Sequence, residues 1–459
     1  MEPIQLPIKS SGDEQALRSQ LVTAKKMLVP SIRLQGSPDH YAKPLRTLND
    51  ADAVERAKEK GHRVAALKLH GLPVAEGSIR CLRRYVAVVF QTQVWLLYRS
   101  REPKAWLAGN RSSVKQGFRI IPSNESNREI VRVKRLCIRA LYALGLDYGV
   151  VKVGVRSGNR TVVLDIYPTP KLNREMENAF CQAFTQYMGK LPRLMTDLNR
   201  VTLGADPEFI MKKENGELVM ASNYFPRFGL VGCDAIWYGQ NRSARPLVEI
   251  RPKPTPEPRQ LVIRLYKGLI RASQRVKTNR FRWLAGALPH PGYPLGGHIH
   301  FSGVPLNFKL LRALDHYLAL PLVLIEDPQG VKRRPKYGYL GDFRTQFHGG
   351  FEYRTLPSWL ISPTVTKGVL AAAKLIAAHY PVLKSGYLQR HTVQKAYYEG
   401  DKEALRSIVQ DLLVELKGLK GYQQYRNYLD PFFQMVLSGK KWNESKDIRL
   451  VWKITSNRS

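Results

Sequence analysis

Cysteine is scarce in this chain. Its 459 residues hold four, Cys81, Cys137, Cys181 and Cys233, widely scattered and never in a CxxC pair. That excludes zinc-finger, thioredoxin-like and disulfide-framework readings. Long apolar runs are also missing. Stretches such as Ala319–Ile325 and Val369–Ala378 fall far short of the ~20 residues needed to span a bilayer. The opening residues, MEPIQLPIKS, have no basic segment followed by an apolar one, so no secretory signal is expected. There are no internal repeats and no low-complexity blocks. These absences lead to the expectation of a soluble cytoplasmic protein of two to three domains.

Acidic side chains are few relative to basic ones. The 37 Asp and Glu against 73 Lys and Arg leave +36. The excess is not a tail, since residues 1–200 carry 34 basic and 17 acidic side chains and residues 201–459 carry 39 and 20. Such a field attracts polyanions, an acidic polymer or nucleic acid among them, but it also fits a merely solvated basic surface. No helix-turn-helix, RRM, KH or zinc-finger signature accompanies it.

What is present divides into two textures, and the pattern predicts an α+β fold with domains at residues 1–195 and 196–459. In the first, residues 44–72 read as a helix pair, Arg83–Tyr98 as a β-hairpin and Glu129–Leu144 as a helix. Val150–Val155 and Thr161–Tyr167 read as strands joined by Ser157-Gly158-Asn159, and residues 171–200 as helical. In the second, residues 201–360 read as short strands alternating with Gly-, Pro- and Asn-rich loops. Residues 361–459 are mostly helical.

Four short segments of the strand-rich region carry chemistry. In GADPEFIM (residues 204–211), Asp206 and Glu208 are two apart, so on one strand both face the same way. In LVEIRP (residues 247–252), Glu249 and Arg251 share a face. In GGHIHFSG (residues 296–303), His298 and His300 do so, behind Gly296 and Gly297, which admit close approach of a ligand or of backbone. In FHGGFEYRTLPS (residues 347–358), Glu352 and Arg354 do so, downstream of Arg333, Arg334 and Arg344. Each segment alone also fits a solvated turn, a same-face ion pair or a structural histidine. Together they supply carboxylates and imidazoles for hard divalent cations and guanidinium groups for phosphate. A nucleoside triphosphate with Mg²⁺ or Mn²⁺ explains that combination.

The ordered set GADPEF, EIRP, GGHIHFSG, YG–GDFR, FEYRTLPS and WNESKDIRLVW resembles the phage-type carboxylate–amine ligases, amidoligases of the glutamine synthetase superfamily, over about residues 200–459. The resemblance implies a curved antiparallel sheet whose concave face holds metals and ATP. It implies amide formation in two steps, with ATP phosphorylating a carboxylate and an amine displacing phosphate. It further implies that Asp206, Glu208 and Glu249 hold metal, that His298 and Glu352 complete a second position, and that His300 is a ligand or its support. Arg344 and Arg354 would stabilise the transferring phosphoryl group, while Arg251, Arg334, Gly296 and Gly297 would contact ATP. Asp234 in GLVGCDAIW would be a substrate-side acid, although Ala235 stands where the family pattern has glycine. The substrates implied are peptide, protein or cell-wall carboxylates and amines.

The N-terminal half resembles pieces of an ATP-grasp domain, in RTLNDADAVERAKEKGHRVAALKLHGLPV and LGLDYGVVKVGVRSGNRTVVLDIYPTPKL. Asp165 and Tyr167 stand where that family has its Glu-x-Asn metal strand, and Tyr167 has no carboxamide to coordinate Mg²⁺. The run from GLPVAEG to RRYVAVVF leaves no room for the lysine-bearing strands and flap. The expectation is a truncated, inactive remnant serving as a docking module. The competing readings are a non-catalytic polyanion-binding protein and a metal hydrolase using His298 and His300.

Overall fold

A computed structural model describes residues 4–7, 32–35, 47–101, 117–194, 198–384 and 386–454. The chain divides into two compact units, Met1–Pro192 and Arg193–Ser459. The boundary expected at 195–196 lies outside the described residues.

In the first unit, β1 (Ile4–Pro7), β2 (Ile32–Gln35) and β3 (Thr47–Leu48) form a small sheet. Two short helices follow, α1 (Ala51–Lys58) and α2 (Lys60–Leu69). The main sheet is antiparallel, in the order β6-β5-β4-β7-β8. Its strands are β4 (Arg83–Phe90), β5 (Gln93–Ser100), β6 (Phe118–Ile120), β7 (Tyr148–Arg156) and β8 (Arg160–Tyr167). Between β6 and β7 runs α3 (Arg128–Ala143). Asn127 caps it by accepting from the Glu129 and Ile130 N–H groups, and Ile130, Val133, Cys137, Ala140 and Leu141 make its buried stripe. The long helix α4 (Arg174–Leu194) closes the unit. The two positions matched to a metal strand are occupied by the chain's own cations. Asp165 pairs with Arg63 at 3.0 Å, and the Tyr167 hydroxyl accepts from Lys152 Nζ at 2.9 Å.

The second unit is built on two antiparallel sheets. One joins β11 (Leu218–Val219), β10 (Glu208–Lys213), β13 (Leu247–Ile250) and β12 (Val231–Cys233), with β14 (Phe281–Leu284) on the other edge of β10. The other runs β16 (Phe343–Thr345), β17 (Phe351–Tyr353), β15 (Ile299–Ser302), β9 (Thr202–Ala205). The sheets meet at Asp206-Pro207, between β9 and β10. Pairing continues through this break, since Asp206 N–H donates to the His298 carbonyl and Glu208 N–H to the Gly296 carbonyl. The result is the expected curved antiparallel surface, bent where proline interrupts the ladder. Asp206 and Glu208 both pair with the segment before β15, as alternate residues on one strand face do, although β10 itself begins only after Pro207.

The helices differ from the expectation in one respect. The region read as strands and loops also holds α5 (Pro258–Val276), then α6 (Phe308–Leu314) and α7 (Leu320–Ile325) joined by a π-helical turn, Asp315–Ala319. Proline at the first turn of α5 and Leu261, Leu265, Leu269 and Ala272 on one buried face are ordinary helix signals. The C-terminal helices are α8 (Pro363–His379), α9 (His391–Glu399), α10 (Lys402–Lys417), α11 (Tyr422–Ser438) and the short α12 (Ile448–Val451). Helix α8 is buried on nearly every side, from Val365 to Ala378. It is therefore the axis of the core rather than an amphipathic surface helix. No described helix is long and apolar enough to cross a membrane.

Candidate active site

Strand register decides which side chains meet. In antiparallel pairs, directly opposed residues present side chains to the same face. Across β15, β17 and β16, His300 opposes Glu352 and Glu352 opposes Arg344. Across β10, β13 and β12, Glu208 opposes Glu249 and Glu249 opposes Gly232. The bend at Asp206 brings the two rows together.

The first group gathers on Asp206 and Glu352. His298 Nδ1 lies 3.4 Å from Asp206 Oδ1 and 3.1 Å from Glu352 Oε1, and His300 Nε2 lies 3.0 Å from Asp206 Oδ2. Glu352 is buried and also meets Arg354 Nε at 3.0 Å, Arg344 at 3.3 Å and the Gln346 amide at 3.2 Å. Asp206, His300 and Glu352 each offer a ligand atom within 4.8 Å of the others. Ile299 and Phe301, on the opposite face of β15, are fully buried and anchor the strand. Burial raises the Asp206 carboxyl pKa, but the charges and hydrogen bonds of His298 and His300 outweigh it and hold it well below the usual range. Burial opposes protonation of His300. Its hydrogen bond to Asp206 and the charges of Asp206 and Glu352 nevertheless raise its pKa.

The second group is carboxylate-rich. Glu208 is buried, accepts the Gly296 N–H at 2.7 Å, and has its pKa pushed well up by burial and then by Asp234 and Glu249. Glu249 is pushed up to about 9 by burial and by the Asp206 charge, although Arg251 pairs with it. Asp234 caps its own loop, accepting the Ile236 N–H at 3.1 Å. Arg251, Asp206, His300 and His348 line a cavity of about 220 Å³ along β9 and β15. More buried carboxylate than local cation is the electrostatic condition of a divalent metal site. Apart from the contacts between Asp206 and the two histidines, Asp206 Oδ1 and His300 Nε2 are buried with no further partner, so the donor set fits such an ion.

The model of the phage phiEco32-like COOH.NH2 ligases of type 2 matches residues 203–454, the stretch that carries both groups. The chain belongs to this family. It is therefore an enzyme, a ligase that joins a carboxylate to an amine. No curated protein matches it. Among solved structures it is similar to the ATP-grasp ligase PsnB complexed with minimal precursor, at 12% identity over 40% of this chain and 98% of that one, TM-score 0.26. It is similar to a bifunctional glutathione synthetase from Pasteurella multocida, at 14% identity over 57% and 50%, TM-score 0.34. It is also similar to macrocyclase MdnC bound with precursor peptide MdnA from Microcystis aeruginosa MRC, at 10% identity over 39% and 73%, TM-score 0.24.

Four of the sequence-derived positions in the ligase are placed otherwise than expected. Arg334 does not face the site. It is buried, pairs with Glu326 at 2.7 Å and stacks on Tyr397 with 4.8 Å to the ring centre. Gly296 and Gly297 do not leave space for a nucleotide. A Cβ on Gly297 would lie 2.3 Å from the Pro357 carbonyl oxygen and 2.5 Å from the Trp359 ring, and one on Gly296 would lie 2.3 Å from His298. Their N–H groups are taken by Glu208 and by the Leu356 carbonyl. The pair permits close strand packing that supports His298. Arg333 likewise donates inward, to the Thr355 and Leu356 carbonyls.

Sequence reasoning missed several supports. Ser358 Oγ donates to the Glu208 carbonyl at 2.5 Å, and Trp359 Nε1 donates to the Gly297 carbonyl at 2.8 Å. Glu444 accepts the Ala287 and Leu288 N–H groups at 2.5 and 2.9 Å. Ser358 and Glu444 lay within segments the sequence singled out, FEYRTLPS and WNESKD, without being picked out themselves. Gln346 and His348 both precede the Gly349-Gly350 turn and carried no spacing signal of their own.

Proposed function

We propose that the ligase joins a peptide or protein carboxylate to an amine through an acyl phosphate, using ATP with Mg²⁺ or Mn²⁺. Asp206, His300 and Glu352 would hold one ion. Glu208 and Glu249, with Asp206 between the groups, would hold another, and His298 would orient Asp206 and Glu352. Bound there, the cations would neutralise ATP phosphate charge. The substrate carboxylate would attack the γ-phosphorus and release ADP. The amine nitrogen would then attack the acyl carbon and expel phosphate. Two anions must meet in the first step, so guanidinium groups at the site lower the barrier. Arg354 and the more exposed Arg344, both paired with Glu352, and Arg251, paired with Glu249, would supply them. Asp234 would take the proton of the incoming amine.

The observation that carries this reading is the convergence of four sequence-distant segments on two adjoining carboxylate groups. The test is ADP and phosphate release in the presence of Mg²⁺ and a carboxylate–amine pair. Glu208→Ala and Glu352→Ala are expected to lower kcat by at least about a hundredfold with the circular dichroism spectrum unchanged. Full activity in both variants would overturn the assignment.

A further inference from the structure

The segment between β11 and β13 forms a lobe with an unusual surface. Phe228, Trp237 and Tyr238 are 75%, 48% and 46% exposed. Arg227 lies over the Phe228 ring at 5.6 Å and Arg242 over Trp237 at 5.8 Å. From Leu218 to Pro246 the only acidic residue is Asp234, against Arg227, Arg242 and Arg245. Grouped exposed rings mark contact surfaces, and Trp, Tyr and Arg are the residues that dominate such contacts energetically.

The lobe is fastened to the site. Arg251, the partner of Glu249, also donates to the Arg227 carbonyl at 3.0 Å and to the Cys233 carbonyl at 3.4 Å. On its far side the Gly239 N–H donates to the Tyr293 hydroxyl at 3.3 Å, and Tyr238 stacks on Tyr293 with ring centres 5.7 Å apart and planes 12° apart. Tyr293 leads directly into Gly296 and His298. Whatever binds the lobe therefore lies against the rim of the carboxylate groups.

A ligase of this class takes one substrate that is anionic at the reacting end and one that is not. Three arginines with a single acid select the anionic one, and exposed rings select apolar side chains between its charges. We propose that this lobe docks the carboxylate-bearing substrate and that this substrate is a polypeptide segment rich in Asp or Glu with apolar residues interspersed. The proposal rests on the ligase reading and names the substrate class of that same site.

The test is calorimetric titration of the full chain with a synthetic peptide of alternating glutamate and leucine. Its glutamine counterpart, a single-stranded oligonucleotide and ATP are titrated in parallel. Wild type is expected to bind the glutamate peptide. Arg227→Glu combined with Arg242→Glu, and separately Trp237→Ala, are expected to weaken that binding by about tenfold or more, with Trp237→Phe retaining it. ATP affinity should stay unchanged in all of them. Four results would overturn the dock: no peptide binding by wild type, equal binding of the glutamine peptide, unchanged peptide affinity in the variants, or variants that weaken the oligonucleotide or ATP instead. Mn²⁺ titration separates this from the ligase reading. Glu208→Ala with Glu352→Ala should lose Mn²⁺ and keep the peptide. Mn²⁺ binding that survives those substitutions overturns the metal assignment and leaves the dock standing.

Discussion

At the scale of single residues, proton competition is the sharpest consequence of the site. Glu208 has its pKa raised well up by burial and by Asp234 and Glu249, and Glu249 is raised to about 9 by burial and by the Asp206 charge. A carboxyl raised to about 9, as that of Glu249 is, holds its proton at neutral pH, and a metal must displace that proton. Mn²⁺ affinity should therefore rise between pH 6 and 9, with protons released on binding. Calorimetry in buffers of different ionisation enthalpy would measure both, and an affinity flat across that range would contradict the assignment. A second prediction concerns Gly297, whose missing Cβ accommodates the Pro357 carbonyl and Trp359. Gly297→Ala should cost about 1–3 kcal/mol by overpacking, read as a drop of several degrees in Tm. The carboxylates and histidines were legible because their two-residue spacing tells which side chains share a strand face. For the glycines the residues allowed either a ligand or backbone, and only the resemblance chose ATP. Spacing announces a close approach without saying what approaches, and here it is a neighbouring backbone. Arg334 was misread because exposure was assumed for a charged side chain whose partner, Glu326, lies eight residues upstream across a 3₁₀ turn.

At the scale of elements, the loop that precedes β15 depends on a residue from the far end of the chain. Glu444 accepts from Ala287 and Leu288, and Ala287 in turn accepts the Leu295 N–H at 2.9 Å, next to Gly296. Glu444→Ala would leave two buried N–H groups without an acceptor, at about 1–3 kcal/mol each. We expect a lower Tm together with weaker Mn²⁺ binding, although Glu444 touches no ligand atom. Unchanged Mn²⁺ affinity would show that the loop holds its place without it. Among the elements, the helices α8 to α11 and the hairpins of the first unit were readable from periodicity and turn residues. Helix α5 was missed despite its N-terminal proline and its leucine stripe, because it follows directly on the proline-rich run PKPTPEP, which reads as loop. The interrupted rod of α6 and α7 was missed because its apolar run reads as a buried strand as easily as a buried helix. Strand pairing was invisible too. Pro207 in GADPEF marks a strand start or edge, since it cannot donate to a ladder, but it does not announce that the chain changes sheets there.

For the whole molecule, the charge of +36 acts at a distance. It should speed the arrival of an acidic substrate without altering the chemical step. With a glutamate-rich peptide as substrate, kcat/KM should fall steeply as ionic strength rises from about 0.01 M to about 1 M, over which the Debye length shrinks from about 30 Å to 3 Å. The kcat should change little. A kcat/KM indifferent to salt would mean that the charge serves something else. Composition announced this field but not its purpose, since a net charge has no address on the surface.

The bend at Asp206-Pro207 carries one more implication. Asp206 belongs to the edge of one sheet and Glu208 to the start of the next, so a cation lodged between the two carboxylate groups would act as a rivet through both. Amide hydrogen exchange should then slow in β9 and β15 on one side and in β10 and β13 on the other when Mn²⁺ is added, and slow together. An enzyme of this build would stiffen as it loads, and its catalytic surface would acquire its final curvature only with the ions aboard.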